Sequence, residues 1–197
     1  MKVWINSLMV FMVFLLVMTG CSIGPMVAGN GATTTSPAQP GEWDASVIKT
    51  ELNKLPQKYE SKKAVEDGCF VILHGKLQSD PKLADDFAAA AKAGQAASLR
   101  IVQYTVEGDP IIMHVDYRDG GFHALYDVSR DNFGAFGSDI VEYSMPYLAV
   151  FDEEDKQVAY LVEEDDLSLA DITAKIDQNQ DPNGPTDLIY LYQYGKG

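Results

Sequence analysis

The sequence predicts an α+β domain, an antiparallel β-meander with helices packed on one face. Three observations lead there. Residues 99–106, 111–117 and 122–128 are strand-like runs rich in Val, Ile, Tyr and Phe. They are separated by Glu107-Gly108-Asp109-Pro110 and Arg118-Asp119-Gly120-Gly121, both tight-turn chemistry. Segments with apolar residues at helical spacing lie on either side of the three runs. Across 197 residues, 46% are apolar and 10% aromatic, enough for one domain with a core.

Taken in chain order, Asp44 is an N-cap for a helix carrying Val47, Ile48, Leu52 and Leu55 and stopped by Pro56. A short second helix over residues 61–67 ends at Gly68, a natural C′ residue. Residues 70–74 read as a buried strand closed by Gly75. Asp80-Pro81 opens a helix over 81–93 whose inner face is Leu83, Phe87, Ala90 and Ala91, and Gly94 ends it. With two-residue loops in the meander, Val102, Tyr104 and Val106 share a face with Ile111, Met113, Val115 and Tyr117, and with Phe122, Ala124, Tyr126 and Val128. That face is the expected core side. A long hairpin follows, residues 141–151 and 157–163, with an acidic tip at 152–155. Pro146 inside its first arm implies an edge position or a bulge. Leu169, Ile172 and Ile176 give a last helix, and residues 187–194 a terminal strand.

The N-terminus carries an address. Lys2 precedes an unbroken apolar run at residues 8–18, about half the length of a membrane-spanning helix, which needs roughly 20 residues. A short apolar core behind a positive start is the layout of a secretory signal peptide. Val17-Met18-Thr19-Gly20-Cys21 then resembles the bacterial lipobox, in which the cysteine is acylated and becomes the mature N-terminus. Each buried CH₂ contributes about 0.8 kcal/mol, so several acyl chains on Cys21 anchor stably where one binds marginally. The expected organisation is therefore a lipoprotein signal peptide at 1–20, a lipidated flexible tether at 21–41 and one globular domain at 42–197. The tether is rich in Gly, Ala, Thr, Ser and Pro, with a coil reach of roughly 25 Å.

Charge narrows the partners. The 15 Lys and Arg against 29 Asp and Glu give −14, or −15 once residues 1–20 are removed. This balance excludes nucleic acid, which needs a basic footprint, and argues against docking to anionic lipid by charge. It favours a cationic protein or peptide. With Cys21 lipidated, Cys69 has no internal partner; the apolar run after it makes it a buried, inert thiol.

Two clusters could hold chemistry. On the meander face opposite the expected core lie His114, Asp116, His123 and Asp127, with Gln103 nearby. A two-residue turn at Asp119-Gly120 sets His123 opposite Asp116 and diagonal to His114. Two imidazoles and two carboxylates could bind Zn²⁺ or support acid–base work. A solvated outer sheet face would display the same residues. The second cluster, Asn179, Asp181, Asn183 and Asp187, spaces oxygen donors as a Ca²⁺ loop does, with Gly184 at its sixth position. Tyr190 stands where the bidentate acid belongs, and any surface turn uses such residues. Arg130 could hold an anion or pair with Asp127 or Asp131.

Three stretches carry a family resemblance: His74-Gly75; Arg100-Ile101-Val102-Gln103-Tyr104-Thr105-Val106-Glu107-Gly108-Asp109-Pro110-Ile111; and Tyr126-Asp127-Val128-Ser129-Arg130-Asp131-Asn132-Phe133-Gly134. They resemble a family of Gram-positive lipoproteins catalogued as domain of unknown function 4362, over about residues 59–137. The resemblance implies an envelope setting and supplies no catalytic residue. The expectation is a lipid-anchored extracytoplasmic binding module. The competing expectation is a metal-dependent or carboxylate-based envelope hydrolase using His114, Asp116, His123 and Asp127.

Overall fold

A computed structural model describes residues 43–133, 140–178 and 187–196; the signal peptide and tether expected at 1–41 lie outside them. The chain runs α1 (Ala45–Lys54), α2 (Ser61–Glu66), β1 (Phe70–Leu73), β2 (Lys76–Leu77), α3 (Lys82–Lys92), β3 (Ala97–Tyr104), β4 (Pro110–Arg118), β5 (Gly121–Asp127), β6 (Ile140–Met145), β7 (Tyr147–Asp152), β8 (Lys156–Val162), α4 (Leu169–Gln178) and β9 (Leu188–Gly195).

The helix ends follow the sequence signals. Asp44 Oδ1 accepts from Ser46 N at 2.9 Å and Val47 N at 3.3 Å, satisfying two donors that α1 leaves open. After α2, Gly68 sits at φ +80, so that Cys69 N reaches Ala64 O at 3.0 Å and Gly68 N reaches Val65 O. Those two bonds close the helix end and aim Cys69 into β1. Asp80 accepts from Lys82 N ahead of α3.

One sheet joins the strands in the order β6-β5-β4-β3-β1-β2-β9-β8-β7. It is mostly β with a few helices, as an α+β reading requires, but two of its pairings are parallel: β1 with β3, and β2 with β9. The meander is therefore the larger part of a mixed sheet. The parallel step arises because α3 carries the chain from β2 back over the sheet into β3, a crossover that a helix allows and a hairpin does not.

The edges of this sheet decide its shape. Residues 141–151 do not form one hairpin arm. The chain breaks at Pro146, which has no N–H to give a ladder. β6 pairs with β5 at one edge, and β7 pairs with β8 at the other. A single residue thus separates two opposite edge strands in sequence, and consecutive Cα atoms are only 3.8 Å apart. The sheet must roll until its edges meet at Pro146. The roll encloses one apolar cluster drawn from both halves: Phe70, Ile101, Met113 and Phe122 with Leu161, Leu191 and Tyr192, and with Phe87 and Ala91 of α3. Across this interior Gln103 Nε2 donates to Leu191 O at 2.7 Å, joining β3 to β9.

The helices do not share a face, contrary to the sequence expectation. α3 packs inside, while Leu52 of α1 and Ala64 of α2 join Cys69, Val71, Val102, Ile112 and Leu125 on the outer side. Ile172 of α4 packs on Val158, Tyr160 and Val162. The expected face assignment also fails for β3. The β3–β4 loop has five residues, not two: Tyr104 pairs with Pro110, and Thr105 closes the loop through bonds from its N to Asp109 O and from Gly108 N to its own O. An odd change in loop length reverses strand parity. Leu99 and Ile101 therefore face inward with Met113 and Val115, and Val102 and Tyr104 face outward. The second turn is two residues, Asp119 and Gly120 at φ +53 and +81, as expected.

Arg130 ties the outer layer to the sheet. It is 3% exposed; its guanidinium pairs with fully buried Asp127 and donates to Leu52 O at 2.7 Å, Leu55 O at 3.0 Å and Pro56 O at 3.1 Å. It caps the C-terminal carbonyls of α1 and neutralises a buried carboxylate together. Arg130→Ala should lower stability by about 3–5 kcal/mol, because it strands Asp127 uncompensated; the midpoint of urea unfolding reads the loss.

Candidate functional site

The expected polar patch exists, but it is covered. His114 and Asp116 of β4 and His123 of β5 point outward, with His123 opposite Asp116 as the turn predicts. Trp43, immediately before α1, lies over them. Its ring stacks on His123 with centroids 5.1 Å apart and planes at 21°, and on His114 at 6.3 Å and 26°. Arg118 Cζ stands 6.0 Å from the same ring, within cation–π range. Trp43 Nε1 donates to Glu142 Oε1 at 3.3 Å, and Lys49 Nζ reaches Glu142 Oε2 at 3.3 Å. His123 Nδ1 shares a hydrogen bond with Ser144 Oγ at 3.0 Å.

Beneath the indole the electrostatics are those of a dry layer. The Asp116 side chain is 4% exposed and grips Arg118, whose Nε donates to Asp116 Oδ1 at 3.2 Å. Burial raises the Asp116 carboxyl above its ordinary value, and Arg118 pulls against that. His114 Nε2 lies 4.0 Å from Asp116 Oδ2. Burial first, then the Arg100 and Arg118 charges, push the His114 imidazole down to about 4. It is neutral at physiological pH. Its Nδ1 and Arg100 Nε are buried without a hydrogen-bond partner.

Sequence reasoning brought His114, Asp116 and His123 together and missed the cover. Trp43 stands one residue before the N-cap, the position from which an apolar side chain packs back on the first turns of its own helix; nothing in that spacing points to the histidines of β4 and β5. Gln103, placed near the patch, faces the interior instead, because of the five-residue loop. Asp127 is drawn away to Arg130, so the four proposed hydrolase residues are divided between two sites. Arg130 has its donors occupied by Asp127, Ser129 Oγ and the α1 carbonyls, and the anion it holds is the chain's own.

Among the described residues, no three His, Cys, Asp or Glu side chains converge as metal ligands. Asn179, Asp181 and Asn183 of the Ca²⁺-type loop lie outside the described residues, and Asp187 accepts from Lys175 Nζ at 3.1 Å. Cys69 is 1% exposed, touched by Tyr59 Oη at 3.6 Å, and burial pushes its thiol up. It is the buried thiol expected. No helix among the described residues is long and apolar enough to cross a membrane.

Residues 67–161 match the family described as Domain of unknown function (DUF4362). The match starts inside the resembling stretch at 59–137 and runs beyond it, through β6 and β7 into β8. No curated protein and no solved structure matches the chain.

The buried imidazole makes a pH prediction. Unfolded, His114 titrates near the ordinary 6.5; folded, near 4. The unfolded chain binds the extra proton, so this contribution is full above about pH 6.5 and is lost as pH falls toward 4. Between pH 7 and 5 the wild type should lose about 2 kcal/mol through this group. His114→Gln should remove that dependence, as read by urea midpoints at the two pH values.

Proposed function

We propose that this protein is a lipid-anchored extracytoplasmic binding module, held at the outer face of the cell membrane by acylated Cys21. The observation that carries the reading is the sequence itself: a short apolar run behind Lys2, then Val17-Met18-Thr19-Gly20-Cys21 and a Gly/Ala/Thr/Ser/Pro tether. The similarity over residues 67–161 to a domain of unknown function is compatible with it and gives no activity. Binding is favoured over hydrolysis by two features of the candidate site. Trp43 stacks on His114, which is largely buried, and Arg118 occupies the carboxylate of buried Asp116 that a metal or a water would need. The net charge of −14 favours a cationic partner.

Cys21→Ala should move the protein from the membrane pellet to the soluble fraction of fractionated cells. The intact mass of the native product should exceed that of the chain beginning at Cys21 by the mass of its acyl groups. An unmodified mass would end the anchor reading.

A further inference from the structure

β7 forms one edge of the sheet, and its run Tyr147-Leu148-Ala149-Val150-Phe151 has no charge, proline or glycine. Natural edge strands are guarded by charges, prolines, bulges or a cover, since bare N–H and C=O groups pair with another chain. The opposite edge is guarded: Glu142 in β6 is held by Trp43 and Lys49. β7 is not, and its Tyr147 and Val150 are 40% and 38% exposed. Two cavities, about 210 and 700 Å³, border the strand and share Tyr147, Leu148, Val150, Asp165 and Asp166 in their walls. The smaller is lined by all five residues from Tyr147 to Phe151. The smaller therefore lies toward β8 and the loop after it, and the larger borders the strand at Tyr147, Leu148 and Val150.

The surroundings are acidic. Glu163, Glu164, Asp165 and Asp166 follow β8; β7 ends in Asp152, and Glu153, Glu154 and Asp155 follow it. Lys175 answers Glu164, while Lys196 and Lys156 answer Asp152 and Glu153. Asp165 and Asp166 are exposed, and no ion pair among the described residues includes either. Lys92 is the cation in the wall of the larger cavity.

We infer that the free edge of β7 takes up a basic peptide segment as an added strand, with main-chain hydrogen bonds to β7 and cationic side chains toward Asp165 and Asp166. Strand addition gives affinity through the ladder and selectivity through alternate side chains. A second copy of this chain is the poorer occupant, because pairing β7 with itself would bring the two acidic loops together. The inference rests on the binding-module reading and names its partner's chemistry.

The test titrates the full-length protein, in non-ionic detergent, with the blocked peptide acetyl-(Lys-Val)₄-amide in a calorimeter. Saturable binding is expected, weakened at least tenfold by Val150→Lys and by the double change Asp165→Lys with Asp166→Lys. The same peptide N-methylated at alternate residues keeps its charge and cannot complete a ladder, so it should not bind; acetyl-(Glu-Val)₄-amide should not bind either. Equal binding of the N-methylated peptide, no saturable binding, or indifference to both variants would overturn the inference. So would sedimentation showing a dimer of the full-length protein that Val150→Lys dissociates. Cys21→Ala protein should bind the peptide as the wild type does, so failure of the anchor and failure of this edge read out separately.

Discussion

Pro146 is the constraint on which the rest of the architecture depends. It joins the two outermost strands of one sheet with a single residue between them, so the sheet has to roll. Rolling turns one face into an enclosed interior, and the enclosed face is the one that carries Phe70, Ile101, Met113, Phe122 and Leu191. α3 is the helix with room inside, and its inward residues are Ala84, Phe87 and Ala91, with small side chains on either side of the phenylalanine. α1, α2 and α4 are left to the outer face. Gln103, polar and inward-facing, is tolerated because Leu191 O and Tyr190 Oη meet both ends of its amide.

The outer face is then not the solvated side of a one-faced sheet. Around Val102, Ile112 and Leu125 it is a second core under α1 and α2, and the polar residues beside it are sealed. Asp116 and Asp127 are both buried carboxylates, and each is answered by an arginine, Arg118 and Arg130. Two buried acids with paired cations in so acidic a chain cost desolvation that an apolar pair would avoid. What they provide is position: Arg130 fixes the end of α1, and Arg118 sits where the Trp43 ring passes.

Local chemistry was legible and long-range geometry was not. Asp44, Gly68, Asp80 and Asp119-Gly120 each mark a boundary because the backbone needs a particular acceptor or a positive φ there. The His123–Asp116 juxtaposition followed from one such turn. Spacing alone gives β3 the opposite face, because Glu107-Gly108-Asp109-Pro110 satisfies a short turn as well as the five-residue loop that Thr105 closes. Pro146 was readable as a break, but no residue near it says that the chain passes to the far edge. The parallel contact of β1 with β3 and the shielding of His114 arise from where α3 and Trp43 come to rest, and sequence spacing does not encode either.

Trp43 and Arg130 sit at the two ends of α1, one stacked on β4 and β5 side chains, the other hydrogen-bonded to the helix's last carbonyls from beyond β5. Any force entering the domain at Trp43 is therefore split before it reaches the strands. Part passes through the indole into the histidine layer, and part runs down the helix into a guanidinium buried between that helix and the outer face of the sheet. The first helix is riveted at both ends, so tension on it loads the whole sheet instead of peeling off one segment.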